Sequence, residues 1–337
     1  MQLQTPFLLF LGDVQDQLAA KTAAGILDWR EDWCVGQCRM PGCKADLGLA
    51  DLSPKEAADL GAKTMVIGVA NAGGVMSPAW IDSILEAIGC GLNIASGLHI
   101  SLRDVPQIAI AAEAAGVELH DVRAPNMTFA TGQGSKRRGR RLLTVGTDCS
   151  VGKKYTALAL EREMRKLGWD ADFRATGQTG IFISGRGVSV DAVVADFISG
   201  AAEWISPEAD RDTHWDLVEG QGSLFHPSFA GVTLGLLHGS QPDAFVVCHE
   251  PTRKTMRGIK AALPTIRDVI DLTIACGRLP NPAIRCVGIS VNTANLTEEE
   301  ASTELSRISE LHGLPAVDPI RFGVAPIIEF IDASFPR

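Results

Sequence analysis

Gly146-Thr147-Asp148-Cys149-Ser150-Val151-Gly152-Lys153-Lys154 is the stretch whose reading fixes the fold. An apolar run, Leu142-Leu143-Thr144-Val145, precedes it, and a helix-like run, Tyr155 to Leu167, follows. Strand, glycine-bounded loop with lysine, helix is the arrangement of a phosphate-binding P-loop. Backbone N–H groups of such a loop point at an anion, the helix N-terminus adds partial positive charge, and the lysine adds a full one. The segment from Gly146 to Lys154, with Tyr155 behind it, can therefore hold a pyrophosphate. It departs from the usual pattern twice. The glycine spacing is one residue longer than G-x-x-x-x-G-K-[ST], and Lys154 stands where Ser or Thr normally holds Mg²⁺.

Bulk properties bound the rest. A chain of 337 residues suggests two domains at roughly 150 residues each. A net charge of −9 argues against a general nucleic-acid binder, so an anionic ligand must be drawn by local cations. No apolar run is long enough for a membrane span, and Pro6 to Leu11 reads as a first strand and not a signal peptide. Eight scattered cysteines fit reduced thiols in a cytoplasm. Cys34, Cys38 and Cys43 lack paired C-x2-C spacing, so no metal site is expected there or elsewhere.

Outward from the loop, the chain alternates strands and helices. The first half reads as a Rossmann-like, doubly wound α/β domain over residues 1–135. Its strands are Phe7–Leu11, Thr64–Val69, Leu92–Ala95 and Val117–Val122, with Cys34 to Asp46 irregular. Helices are expected at Gln17–Leu27, after Ser53-Pro54, at Pro78–Ile88 and at Val105–Ala115. Asn71, Gly73, Gly74, His99 and Asp121 fall at carboxyl ends of strands, where such sheets bind ligands; glycines and polar residues also make ordinary turns there. There is no G-x-G-x-x-G, so a dinucleotide site is not supported. Residues 131–141, rich in Gly, Lys and Arg, read as a solvated connector, with phosphate capture by the basic cluster as the alternative.

The second half, residues 136–337, reads as a P-loop NTPase-like α/β domain. Asp170–Ala175 is a strand opening into a loop, Thr176-Gly177-Gln178-Thr179-Gly180, and a helix is expected from Asp191 to Ala202. Further strands end at Glu219, at His249 and at Asn292, and Asp318 follows a helix spanning Glu298–His312. Candidate general bases are Glu219, His226, His249 and Asp318, with Glu250 beside them. Glu219 leads because it ends a strand beside the P-loop; its other role would be to hold Mg²⁺ or position a substrate group. His226 and His249 fit structural hydrogen bonding equally well. Arg174, Arg186, Arg253, Arg257 and Arg321 can supply a carboxylate clamp, and Thr176, Gln178 and Thr179 polar contacts. Asn292 either touches an adenine edge or caps a strand. Lys154 either neutralises a phosphate or faces solvent. Covalent catalysis by Cys149 is disfavoured, because a cysteine inside the P-loop would compete with the bound phosphates.

Several motifs in one order carry a resemblance. Gly146-Thr147-Asp148…Gly152-Lys153 with Val218-Glu219-Gly220…Gly222 is similar to dethiobiotin synthetase and its P-loop relatives. Thr176 to Gly180, Val218 to Leu224 with His226-Pro227, Cys248-His249-Glu250-Pro251, and Gly313-Leu314-Pro315…Asp318-Pro319…Arg321-Phe322-Gly323 resemble, more closely, a family once known only as an uncharacterised P-loop domain with an N-terminal Rossmann-like domain. This resemblance spans nearly the whole chain. It implies a D-glutamate N-acetyltransferase that uses acetyl-CoA and works with a partner enzyme acting on the N-acetylated amino acid. A small acidic amino acid is then the substrate, with a homo-oligomer expected and no nucleic-acid or membrane partner. The alternative, from the more distant likeness, is an ATP- and Mg²⁺-dependent carboxylate-activating ligase or kinase.

Overall fold

The computed structural model describes residues 3–69, 76–124 and 128–335. Asn71, Gly73 and Gly74 therefore lie outside the described residues. The chain forms two compact units. Residues 1–127 with 177–192 make the first, and residues 128–176 with 193–337 the second. The sequence predicts one boundary, between 135 and 136. The fold instead returns residues 177–192 to the first unit.

In the first unit the elements run β1 (Phe7–Gly12), α1 (Lys21–Trp29), β2 (Cys34–Arg39), α2 (Pro54–Asp59), β3 (Thr64–Ile67), α3 (Pro78–Gly89), β4 (Asn93–Ser96), α4 (Pro106–Ala115) and β5 (Leu119–Asp121). The strands pair in parallel in the order β2-β1-β3-β4-β5. Strands β1, β3 and β4 are buried throughout, as expected of parallel strands covered on both faces. Helix starts follow local chemistry. Ser53 and Ser77 cap α2 and α3 ahead of a proline, and Ser53 with Glu56 completes a capping box. Strand β2 corrects the irregular reading of Cys34 to Asp46. Its Gly36, Gln37 and cysteines carry little strand propensity. Pairing with β1 and the buried Gln37 side chain, which donates to Asp46 and the Leu49 carbonyl, hold it extended.

The second unit continues with β6 (Arg140–Gly146), α5 (Lys153–Lys166) and β7 (Ala171–Arg174). After β7 the chain crosses into α6 (Gln178–Ser184), which belongs to the first unit, then returns at α7 (Ile198–Ile205) and β8 (Trp215–Val218). It ends through α8 (Ala230–Ser240), β9 (Ala244–His249), α9 (Ile266–Gly277), β10 (Arg285–Val291), α10 (Glu298–His312), β11 (Ala316–Val317) and α11 (Ala325–Ser334). The parallel order β11-β10-β9-β6-β8-β7 puts β6 inside the sheet, between β9 and β8. Leu143 and Val145 of β6, Val218, Phe245, Val247, Ile289 and Val291 join Leu236, Leu237, Val269 and Ile270 of the helices in one core. The strand that delivers the P-loop is thus packed on both faces and paired on both edges.

Three expectations change here. The helix expected from Asp191 begins only at Ile198, after two short 3₁₀ turns at Val190–Ala192 and Ala195–Phe197. The loop expected at residues 176–180 becomes, from Gln178, the start of α6. The basic connector is not solvated throughout: Arg141 is fully buried, and Arg137 donates to Ser206, Gln241 and the carbonyls of Gly239 and Ser240. Among the described residues, no helix is long and apolar enough to cross a membrane.

Candidate active site

Strand β6 ends at Gly146, and the loop that follows is built to present N–H groups. Ser150 and Gly152 adopt left-handed backbone (φ 55° and 104°), turning successive amides toward one side. Glycine takes the second value without Cβ strain. Helix α5 starts at Lys153 with no side-chain cap, so its first amides remain for an anion. The Lys153 ammonium is buried and donates to the carbonyl of Asp148 at 2.7 Å. Burial pushes its pKa below the usual lysine range, opposed by Cys248, Cys149, Asp148 and Glu219. Lys154 lies half-buried with Nζ 4.9 Å from the Tyr155 ring centroid.

The loop is braced from one side. Asp148 Oδ2 accepts from the Arg253 guanidinium at 2.9 Å and from the Arg257 N–H at 2.7 Å. Burial opposes ionisation of Asp148, but these donors and the Cys149 amide hold it below the usual carboxylate range. Arg253 also donates to the carbonyls of Cys149 and Ser150 and pairs with Glu250. Arg253, expected in a substrate clamp, is therefore committed to shaping the P-loop. Burial raises the pKa of the Cys149 thiol, which keeps it protonated and a weak nucleophile.

On the other side, β8 delivers Glu219 and Gly220. Glu219 is buried, and its Oε2 accepts from the Thr176 N–H at 3.0 Å while Thr176 Oγ1 donates back to the Glu219 carbonyl at 2.6 Å. Gly220 N–H donates to Thr144 Oγ1. A Cβ on Gly220 would sit 1.6 Å from the Thr144 carbonyl oxygen and 3.1 Å from Lys153 Cδ. The strand end and the lysine stem thus meet only because residue 220 has no side chain. Gly220→Ala is expected to lower unfolding stability by about 2–3 kcal/mol, read as a drop in the urea midpoint. An unchanged midpoint would show that the approach is not this close.

His249 ends β9, directly beside the loop. Its Nδ1 is 3.1 Å from Thr147 Oγ1. Burial lowers its pKa below 6.5, with Glu304 and Glu250 opposing, so the imidazole is neutral near pH 7. His226 differs: Ser228 N–H donates to Nδ1 at 3.2 Å, so Nε2 carries the proton and donates to the Arg257 carbonyl at 3.0 Å. The ring also stacks on Phe229. With both nitrogens engaged, His226 serves as a brace. Asp148, Cys149 and His226 each bring a ligand-type atom within 4.8 Å of the others. Asp148 Oδ2 already faces an arginine and both imidazole nitrogens are engaged, while Asp148 Oδ1 is buried without a hydrogen-bond partner.

The remaining candidates hold structure. Asp318 Oδ2 accepts from the Thr293 amide and hydroxyl, and Oδ1 from the Ile320 and Arg321 amides. Burial opposes ionisation, yet these donors keep Asp318 below the usual carboxylate range, with both oxygens engaged. Arg321 donates to the Leu296 and Thr297 carbonyls. Asn292 Oδ1 accepts from the Ala294 amide, the strand-capping alternative. Arg174 turns back along the sheet to Asp216 and Asp172. Gln178 and Thr179 ride on α6 in the first unit, where Thr179 meets Thr22 and Gln178 packs against Gly97. Thr176 alone of that motif stays beside Glu219. A groove of about 460 Å³ lined by Pro251, Thr252, Leu296, Thr303 and three glutamates, Glu299, Glu300 and Glu304, lies near His249. Its charge disfavours a dicarboxylate there.

The DUF1611 P-loop domain matches residues 128–328, and the Rossmann-like N-terminal domain of the same name matches residues 38–125. The chain belongs to the DUF1611 family. A solved DUF1611 family protein from Anabaena variabilis shares 29% identity and a TM-score of 0.85, covering 98% of this chain and all of its own. Two curated relatives are named D-glutamate N-acetyltransferase. That of Pseudoalteromonas is 53% identical over 329 residues, 97% of this chain and 99% of its own length. That of Tritonibacter scottomollicae is 52% identical over 332 residues, 98% and 99% respectively. The family expected from the motifs is the family found. What the motifs did not reveal is the division of labour within it. Arg253 and His226 brace the P-loop of this chain, and neither role has a local sequence signal.

Proposed function

We propose that this chain is an N-acetyltransferase that moves acetyl from acetyl-CoA to the amino group of D-glutamate, with the P-loop holding the coenzyme pyrophosphate. The observation that carries the reading is a near-full-length match to enzymes of that name joined to a P-loop with Lys154 in the metal-ligand position. Acetyl transfer moves no phosphoryl group, so a cradle for phosphate without a Ser/Thr metal ligand suits it. The uncapped start of α5 and Lys153 supply the donors.

The amine attacks the thioester carbonyl carbon, the new C–N bond forms, the C–S bond breaks, and CoA leaves as the thiol. Before attack the ammonium must lose a proton. His249, neutral and half-buried at the loop, is the group proposed to take it. With Nδ1–H donating to Thr147, Nε2 keeps its lone pair for the amine. Glu219 is proposed to orient the substrate ammonium from the Thr176 side. The product then passes to a separate enzyme that acts on N-acetylated amino acids, in a reduced cytoplasm that suits eight free thiols.

The test is thiol release from acetyl-CoA. D-Glutamate should trigger it without added Mg²⁺, and acetyl-CoA should raise the thermal midpoint through binding to the native state. No release with any acidic amino acid would overturn the proposal. The proximity of Lys153 to the Glu219–Gly220 strand end favours a second reading, carboxylate activation by ATP and Mg²⁺. Metal-dependent phosphate release would select it.

A further inference from the structure

The segment from Glu250 to Leu263 is not used by the chemistry above except to brace the loop. It carries Arg253, Lys254, Arg257 and Lys260 in a chain whose net charge is −9. It is a closed hairpin. Thr255 bridges Ala262, the Met256 amide donates to the Ala261 carbonyl, and Met256 is buried at 3% exposure. The backbone at Arg257 is pinned from both directions: its N–H donates to Asp148 and its carbonyl accepts from His226. Its side chain reaches the Ser150 hydroxyl, at the rim of the P-loop. Lys254, Arg257 and Lys260 are exposed, and none of the three pairs with a carboxylate among the described residues. Arg253 differs, being neutralised by Asp148 and Glu250.

Three unneutralised cations on one short segment, the middle one, Arg257, held at the rim of a phosphate loop, call for a second anion beside the first. Pinning removes most of the ordering cost that a flexible basic loop would incur on binding. A nucleoside triphosphate places its phosphates in one run, which the loop itself can span. Coenzyme A carries, besides its pyrophosphate, a separate phosphate on the ribose 3′ oxygen. We infer that the hairpin is the 3′-phosphate recognition element, with Arg257 at the rim and Lys254 and Lys260 completing the cationic pocket. This inference rests on the coenzyme reading of the P-loop given above.

Calorimetric titration of the full chain with CoA and with 3′-dephospho-CoA tests it, using wild type and a Lys254→Ala/Lys260→Ala variant. Both lysines are exposed, so the variant is expected to fold. Wild type should prefer CoA by about tenfold or more, the scale of one or two charge-assisted hydrogen bonds. The variant should lose most of that preference while binding 3′-dephospho-CoA as wild type does. Equal binding of both ligands by wild type overturns the inference and leaves the coenzyme reading standing. So does an equal loss of both in the variant. Binding of neither ligand by wild type overturns the coenzyme reading itself.

Discussion

Arg141→Met is expected to lower unfolding stability by about 3–5 kcal/mol, the largest stability effect of any substitution considered. Arg141 opens β6, the strand that delivers the P-loop, and is fully buried. Its five N–H groups make five bonds, to the carbonyls of Ser206, Arg137, Gly139, Arg138 and Pro207. Asp216 lies 3.9 Å away. Burial lowers the guanidinium pKa, with Asp216 and Asp243 opposing, and arginine remains charged at any working pH. Methionine fills similar volume but removes the donor to the carbonyls of Arg137, Gly139 and Pro207 and one of the two guanidinium groups beside the buried Asp216, which keeps Arg174. The cost therefore comes from unmet polar groups, not from a cavity. Arg138→Ala, an exposed neighbour with one donated bond, serves as the control and should cost under about 1 kcal/mol. Similar denaturant midpoints for the two variants would refute the assignment of Arg141 as a buried anchor.

His249→Gln is expected to lower kcat/KM by about 10²–10⁴, the range for loss of a positioned general base. Glutamine retains a side chain able to bond Thr147, which limits the change to proton transfer. The pH profile gives the independent readout. Burial lowers the His249 pKa, so the neutral, proton-accepting form persists below pH 6.5. Activity should fall only as pH drops through that lowered value, when the imidazole becomes protonated and can no longer accept. The variant should lose this acid limb. Wild-type kcat/KM in His249→Gln, with the limb in place, would remove His249 from the mechanism and return the role to Glu219.

The P-loop was readable because its requirements are local. An apolar strand, residues able to turn left-handed at Ser150 and Gly152, and a helix-forming run lie within one short stretch. The alternation of strands and helices was readable for the same reason. Strand β2 was not, since glycine and glutamine there extend only because β1 and the Gln37 contacts hold them. Nor was the crossing of α6, because Gln178 to Ser184 has no local signal saying which unit will bury its apolar face.

The site divides along the same line. Sequence placed Glu219, His249 and Lys153 at the ends of neighbouring elements, and the fold keeps them beside the loop. It also offered His226, Asp318, Arg174, Arg253 and Arg321, whose side chains the fold commits to braces, turns and ion pairs. A titratable side chain looks the same in sequence whether it is free or engaged. Arg253 meets Asp148 from 105 positions away, and Thr147 meets His249 from 102. By itself the sequence determined the architecture and the presence of a phosphate cradle, because backbone geometry and periodicity are set by neighbours in the chain. Only the tertiary structure decided which charges are buried and partnered, because desolvation and hydrogen bonding depend on residues that folding brings together.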